Sequence, residues 1–197
     1  GATWDPVIIA AEDSSELNFW LGPNSYYYFW HSATGPDVEI DPGGKAHIAY
    51  AYDPDPNPAS AEDGDIRYIS SSGSPYTSWS APQTVNDDGP GHAQGFPALE
   101  ILGSGQASTL VLIWEDHRLT PDLPPTYPNS PNLNYDIFST SRAPGQQGWT
   151  RNRRVTGYSS TADSYFIGDY IDLAAGPGLV FGIWSYRRQV ALGPCSS

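Results

Sequence analysis

Two stretches, Trp79-Ser-Ala-Pro-Gln-Thr-Val85 and Trp149-Thr-Arg-Asn-Arg-Arg-Val155, decide the fold of this chain of 197 residues. Each places Val six residues after Trp, and the two tryptophans stand 149 − 79 = 70 residues apart. Upstream of them, Asp65-Ile-Arg-Tyr68 and Asp136-Ile-Phe-Ser139 recur 136 − 65 = 71 residues apart. Landmarks that recur at one spacing indicate a repeated supersecondary unit, and such a unit determines the architecture of the whole chain.

The same unit contains an apolar run that ends in an aromatic residue, preceded by a short strand-like segment and a glycine-containing turn. The three runs are Ala46–Tyr50, Thr109–Trp114 and Leu179–Trp184. The three preceding segments are Asp37–Ile40, Pro97–Ile101 and Asp169–Leu173. The unit therefore has four short strands in a fixed order, which is typical of a propeller blade with generous loops.

The sequence predicts an all-β fold, a partial β-propeller with about two and a half four-stranded antiparallel blades in one domain, 1–197. The predicted parts are the end of a blade at 1–10, whole blades at 36–86 and 95–156, and the first half of a blade at 166–190. A β-sandwich is the alternative, but it would not need the same four landmarks in the same order twice. Since closed propellers typically have about 4 to 8 blades, we expect another chain or missing blades to complete the ring.

Composition and charge exclude several classes of function. Aromatic residues (Trp 7, Tyr 13, Phe 6) and turn formers (Gly 20, Pro 19) favour sheets. The formal net charge of −13 repels nucleic acid and anionic membrane surfaces, and it is typical of a soluble protein outside a cell. No apolar stretch has the length of a membrane helix. The single cysteine, Cys195, predicts no internal disulfide and either a free thiol or a bond to another chain.

The chain resembles the Asp-box proteins, which have a sialidase-like fold. Their motif, Ser-x-Asp-x-Gly-x-Thr-Trp, forms the turn between the third and fourth strands of a blade. Gly1-Ala-Thr-Trp4 matches its second half, Ser72 to Trp79 occupies the same place without the Asp and the Gly, and Ser141 to Trp149 has one residue extra. The stretches Phe166-Ile-Gly-Asp-Tyr170 and Trp114-Glu-Asp-His-Arg118 also look like this family.

The resemblance implies a site on the face opposite the Asp boxes, where the chain has long loops. These loops are 11–35, 53–64, 87–95, 117–134 and 157–168. The implied function is glycan handling by a secreted, extracellular protein, either as a glycoside hydrolase or as its carbohydrate-binding remnant. The alternative is a non-catalytic structural or assembly module that joins other chains through open blade edges.

The resemblance places Tyr170 where sialidases carry their nucleophilic tyrosine. A tyrosine nucleophile needs a neighbouring carboxylate to draw off its proton. The candidates are Asp169, adjacent in sequence, and Glu100 on the preceding inner strand. The alternative for Tyr170 is a residue packed at the rim of the propeller.

An anionic sugar would need arginines, because the guanidinium group binds a carboxylate through two parallel hydrogen bonds. The candidate substrate-binding residues are Arg118, Arg187, Arg188 and His92. The alternative for Arg118 is an ion pair with Asp116 that fixes the long loop after it.

The sequence implies no cofactor, and the histidines have no zinc-like spacing. Calcium is the one candidate ion, because Asp53-Pro-Asp-Pro-Asn57, with Glu62, Asp63 and Asp65, offers oxygen ligands. The alternative for this segment is a stiff, solvated turn, since its spacing matches no known calcium loop.

Overall fold

A computed structural model describes residues 8–11, 35–52, 64–89, 92, 94–104, 108–119, 133–162 and 170–186, and their regular elements are all β-strands. The first sheet has the order β1 (Asp37–Ile40), β2 (Ala46–Tyr52), β3 (Asp65–Ser70) and β4 (Gln83–Thr84). All of its neighbours are antiparallel. Within these ranges, no helix is long and apolar enough to cross a membrane.

The second sheet repeats this order with β5 (Gln94–Leu102), β6 (Thr109–Asp116), β7 (Leu133–Arg142) and β8 (Arg153–Arg154). A short strand, β9 (Ser160–Ala162), also pairs with β7. The third sheet consists of β10 (Ile171–Gly176) and β11 (Leu179–Trp184), again antiparallel. The described strands therefore form two four-stranded antiparallel units and the first half of a third.

The three sheets are packed face to face around two apolar clusters. The first cluster joins sheets one and two, and its members include Ile66, Tyr68, Leu99, Leu112 and Trp114. The second joins sheets two and three through Ala98, Ile113, Tyr135, Ile137 and Leu173. Because side chains alternate along a strand, β5, β6 and β7 of sheet two each contribute to both clusters. The predicted fold class, an all-β partial propeller, is confirmed; the boundaries of the single domain stay a prediction.

The repeat is visible in single hydrogen bonds as well as in strand order. The amide of Val85 donates to the carbonyl of Ile66 at 2.8 Å. At the equivalent place in the second sheet, the amide of Val155 donates to the carbonyl of Ile137 at 2.7 Å. Their place in the repeat predicts that Trp4, Trp79 and Trp149 are mostly buried fold residues, but Trp79 and Trp149 are both half-buried. Trp4 lies outside the described residues.

The turn before Trp79 has an unusual backbone. Tyr76 stands three residues before Trp79 and has φ 63°. Steric contacts of the side chain disfavour this left-handed region for any residue other than glycine. The indole N–H of Trp79 donates to the carbonyl of Tyr76 at 3.0 Å, which helps to hold the turn.

A buried chain of polar contacts also links the first two sheets. Arg142 on β7 donates to the Tyr68 hydroxyl at 2.5 Å, and this hydroxyl lies 2.5 Å from Nδ1 of His47. Nε2 of His47 lies 3.3 Å from a carboxylate oxygen of Asp41. If Tyr68 donates to Nδ1 and Nε2–H donates to Asp41, every contact is satisfied by a neutral imidazole.

We expect the stability of the protein to fall in acid in a window set by His47. Burial, with the charges of Lys45 and Arg142, lowers the pKa of His47 below 6.5, although Asp41 acts against this shift. The stabilisation by the neutral ring is therefore complete above pH 6.5 and is lost as the pH falls through the lower folded-state pKa. Urea unfolding between pH 7 and pH 4.5 measures this loss.

His47→Gln is the matched variant for that experiment, since a glutamine amide does not titrate. Its free energy of unfolding should change less between pH 7 and pH 4.5 than that of the parent. Equal pH dependence in the two proteins would contradict the assignment to His47. The pKa of Asp41 is lowered below 3.8, by hydrogen bonds from the Lys45 amide and His47 that outweigh burial, so its own contribution is lost only at a lower pH.

Candidate functional site

The long loops leave and re-enter the sheets at one end of the strands, and we call this end the loop edge. It contains the starts of β5, β7 and β10 and the ends of β6 and β11. Strand β5 has a bulge at this edge, between Gly95 and Ala98, and the buried Phe96 within it has φ 49°. Bulges of this kind redirect side chains and are frequent next to binding sites.

Arg118, at the loop edge, is surrounded by acceptors. Its Nε donates to Asp116 at 3.0 Å, and one terminal nitrogen lies 2.7 Å from Asp87. The other terminal nitrogen lies 3.3 Å from Asp88 and 3.0 Å from the amide oxygen of Asn152. All three guanidinium nitrogens are thus engaged. The geometry agrees with the alternative interpretation, in which Arg118 pairs with Asp116 and fixes the loops.

The pKa values of two aspartates beside Arg118 are shifted in opposite directions. Asp116 is 0% exposed, and burial raises its pKa although Arg118 and the Trp114 indole act against this shift. Burial alone would also raise the pKa of Asp87, but the amide of Asn152 and the Arg118 guanidinium hold it below the usual range. Arg118 therefore favours the ionised form of Asp116 and opposes the effect of burial.

The structure does not bring Tyr170 and Glu100 together. Glu100 accepts hydrogen bonds from the amides of Ile101 at 2.7 Å and Ala175 at 2.8 Å. Tyr170 precedes Ala175 by five residues, so about 3.3 Å per strand residue puts its backbone roughly 16 Å from that contact. Tyr170 is 83% exposed and is not a packed rim residue.

The other predicted site residues are described only in part. His92 is half-buried in the loop before β5, with its Nδ1 buried and without a hydrogen-bond partner among the described residues. Asp169, Arg187 and Arg188 lie outside those residues. The catalytic and substrate-binding roles of these residues stay predictions.

Asp37 and Glu39 on β1 were not singled out by the sequence, although they stand two residues apart and therefore on the same face of that strand. Asp37 accepts a hydrogen bond at 2.7 Å from the amide of Leu99 on the next sheet. Burial, and then the charges of Glu100, Asp37 and Asp172, raise the pKa of Glu39. Asp37, like Glu100, satisfies a backbone donor of the neighbouring blade, which is a structural role.

A buried polar cluster at the loop edge was also missed. The hydroxyl of Tyr135 donates to the carbonyl of Ser185 at 2.9 Å, and its ring stacks on His117 with centroids 6.5 Å apart. Burial raises the pKa of Tyr135 to about 12, with further contributions from Glu115 and Tyr186, while a hydrogen bond with Ser160 lowers it. Tyr135 is thus a protonated hydrogen-bonding link between sheets two and three.

Sequence and strand register put three exposed tyrosines next to residues that contact this link, and we call them the tyrosine platform: Tyr158, Tyr170 and Tyr186. Ser160 and Ser185 both contact Tyr135; Tyr158 precedes Ser160 by two residues and Tyr186 directly follows Ser185. Ile171 pairs with Trp184, and continuing this register places Tyr170 opposite Ser185. The platform therefore combines residues from sheets two and three.

The exposure of these side chains is high, at 66% for Tyr158, 83% for Tyr170 and 43% for Tyr186. Grouped exposed aromatic residues on a folded protein commonly mark a binding surface. Tyrosine suits this purpose because it has a flat apolar face, a polar hydroxyl and few rotatable bonds. The sequence could not select these three from 13 tyrosines, since exposure depends on packing.

Within the described ranges, no three His, Cys, Asp or Glu side chains are grouped so that they could hold a metal ion. The calcium candidates Asp53 to Asp63 lie outside these ranges, so that prediction is untested.

Among solved structures, this chain is similar to the Hadza microbial sialidase Hz136. It has a TM-score of 0.47 and 13% sequence identity, and the match covers 61% of this chain. The match covers 25% of the Hz136 chain. No protein-family model matches the sequence, and no curated protein matches it.

Proposed function

We propose that this chain is part of a secreted, extracellular propeller that binds glycans at its loop edge, with the tyrosine platform as the contact surface. The observation that carries the proposal is the exposure of three tyrosines that sequence and strand register place next to the contacts of Tyr135. The C–H groups of a sugar ring are weakly positive, and they stack favourably on the electron-rich face of a phenol. Sugar hydroxyls then find partners in the tyrosine hydroxyls.

The charges of the protein favour neutral glycans over anionic ones. The net charge of −13 opposes an anionic sugar, and Arg118, the one predicted sugar-binding arginine among the described residues, is held by Asp116, Asp87 and Asp88. We therefore expect neutral sugars, such as galactose- or glucose-terminated oligosaccharides, to bind better than sialylated ones. Binding is favoured over hydrolysis because the Glu100 carboxylate is held at the amide of Ala175, five residues along the chain from Tyr170.

Tyr170→Ala should weaken binding of the best neutral oligosaccharide at least tenfold, since it removes the most exposed ring of the platform. A glycan array followed by titration calorimetry measures this. Tyr170→Phe is the matched control, because it keeps the stacking face and loses only the hydroxyl; its affinity should fall less than threefold. Both variants should melt like the parent, since Tyr170 is exposed.

Two outcomes would contradict the proposal. The first is the absence of binding by the parent to any neutral oligosaccharide on the array. The second is hydrolysis of a fluorogenic sialoside by the parent that Tyr170→Phe abolishes. That result would make Tyr170 the nucleophile predicted from the family resemblance instead of a stacking residue.

A further inference from the structure

We infer that the buried carboxylate of Asp136 is a positioning residue for the glycan site, because it holds the segment 155–159 that carries Tyr158. This role rests on the proposed function, since Tyr158 belongs to the tyrosine platform. Asp136 lies near the start of β7 and pairs with Asp116 at the end of β6, so it stands at the loop edge, and it is 1% exposed. We call the residues that meet there the Asp136 cluster: Asp136, Arg154, Thr156 and Ser159.

The Asp136 carboxylate accepts hydrogen bonds from three side chains of one short segment. Its Oδ1 accepts from Nε of Arg154 at 3.0 Å, from a terminal nitrogen of Arg154 at 2.7 Å and from the Thr156 hydroxyl at 2.8 Å. Its Oδ2 accepts from the Ser159 hydroxyl at 2.9 Å, and this hydroxyl accepts from Arg154 at 3.1 Å. Hydrogen bonds to a charged group are stronger than those between neutral groups. The cluster therefore holds the chain on both sides of Tyr158.

The repeat shows which of these contacts a blade requires. Asp65 has the place of Asp136 in sheet one, and among the described residues its side-chain donor is Asn86, at 2.8 Å. Asn86 corresponds to Thr156, since each also accepts a hydrogen bond from the backbone amide of the residue after the aspartate. One donor is thus sufficient to close this turn in a blade.

Sheet two adds the other two donors. By strand register, Arg154 has the place of Thr84 in sheet one. Counted from the two valines whose amides make equivalent hydrogen bonds, Ser159 has the place of Gly89. In the part of the chain that the structure describes, neither Thr84 nor Gly89 donates a side-chain hydrogen bond to Asp65. The contacts of Arg154 and Ser159 are therefore additions to the blade, and both act on the segment that carries Tyr158.

The sequence of this segment explains why it needs support. Gly157 directly precedes Tyr158, and a side chain at Gly157 would meet nothing within 4 Å. Glycine loses more backbone freedom on ordering than any other residue, and Tyr158 itself is 66% exposed. Ordering a contact residue before the ligand arrives lowers the entropic cost of binding. The Asp136 cluster therefore presents the Tyr158 ring to a sugar in a fixed position.

Arg154→Thr combined with Ser159→Ala tests this role, because it removes the donors that sheet two adds. The double variant should bind the best neutral oligosaccharide about fivefold more weakly than the parent in titration calorimetry. Hydrogen–deuterium exchange of the amides of 155–160 should be about tenfold faster, with exchange in sheet one unchanged. Arg153→Gln is the matched control, since Arg153 is exposed and Gln83 has its place in sheet one; it should bind and exchange like the parent.

Tyr158→Ala separates positioning from a general loss of stability. If the cluster acts through Tyr158, the double change should alter affinity less than about twofold when Tyr158 is already alanine. A fall of the same size with and without Tyr158 would overturn the proposal, as would unchanged exchange at 155–160. Ser159→Ala alone, which keeps the ion pair of Arg154 with Asp136, gives the same test if the double variant does not fold.

The failure of this role and the failure of glycan binding give different results. A parent that binds no neutral oligosaccharide would overturn the proposed function and the positioning role with it. A parent that binds, together with a double variant of equal affinity or a Tyr158→Ala variant of equal affinity, would overturn the positioning role alone.

Discussion

Arg118→Met is expected to lower the free energy of unfolding at pH 7 by about 3 to 5 kcal/mol, the usual result of removing one partner of a buried ion pair. The variant leaves Asp116, which is 0% exposed, without the cation 2.8 Å from its carboxylate. It also removes the contact to Asp87, which joins sheets one and two, and the contact to Asn152 within sheet two. The methionine retains packing against Phe138, so the loss reports mainly on charge.

The pH dependence of this variant is a second readout. Without Arg118, burial raises the pKa of Asp116 further. The loss of unfolding free energy relative to the parent is complete above this raised folded-state pKa. The loss becomes smaller as the pH falls through this pKa, because the protonated carboxyl carries no charge. Urea unfolding at pH 7 and pH 5 measures both quantities.

Arg151→Met is the matched control for Arg118→Met, since Arg151 is exposed and should change stability by less than about 0.5 kcal/mol. A loss below 1 kcal/mol in Arg118→Met would show that the guanidinium is not a structural link. That outcome would return Arg118 to the set of candidate substrate-binding arginines.

Trp149→Ala is expected to cost about 3 kcal/mol, the lower end of the range for truncated aromatic core residues, because the side chain is half-buried. Its ring meets Tyr68 edge to face with centroids 5.2 Å apart, and Arg142 lies 4.8 Å from the ring centroid. Trp149 belongs to sheet two and Tyr68 to sheet one, so truncation opens the interface between blades. Chemical denaturation followed by circular dichroism measures the change.

Trp79→Ala is the comparison for Trp149→Ala, at the equivalent position of the repeat. Trp79 is half-buried but belongs to neither apolar cluster of described residues, so we expect a loss of only about 1 kcal/mol. Equal losses in the two variants would contradict the importance of the contact with Tyr68. If Trp149→Ala melts like the parent and loses glycan binding, Trp149 is a ligand platform and not a fold residue.

The sequence by itself determined the strands and their order. Pairing within a blade is local, so period-two alternation, glycine turns and the 70-residue repeat are sufficient to place β1 to β8, β10 and β11. It also suggested the pair Asp116 and Arg118, because the two residues are neighbours on the chain. The minor strand β9 was not predicted.

Only the tertiary structure decided how blades meet. Asp87 and Asn152 reach Arg118 from 31 and 34 residues away, and Glu100 reaches Ala175 from 75 residues away. The offset between neighbouring first strands therefore separated Tyr170, which directly precedes β10, from Glu100 on β5. The exposure of Tyr158, Tyr186 and Phe181 is likewise a property of packing between sheets. A one-dimensional pattern specifies which face of a strand is apolar, but whether that face is covered depends on the neighbouring blade.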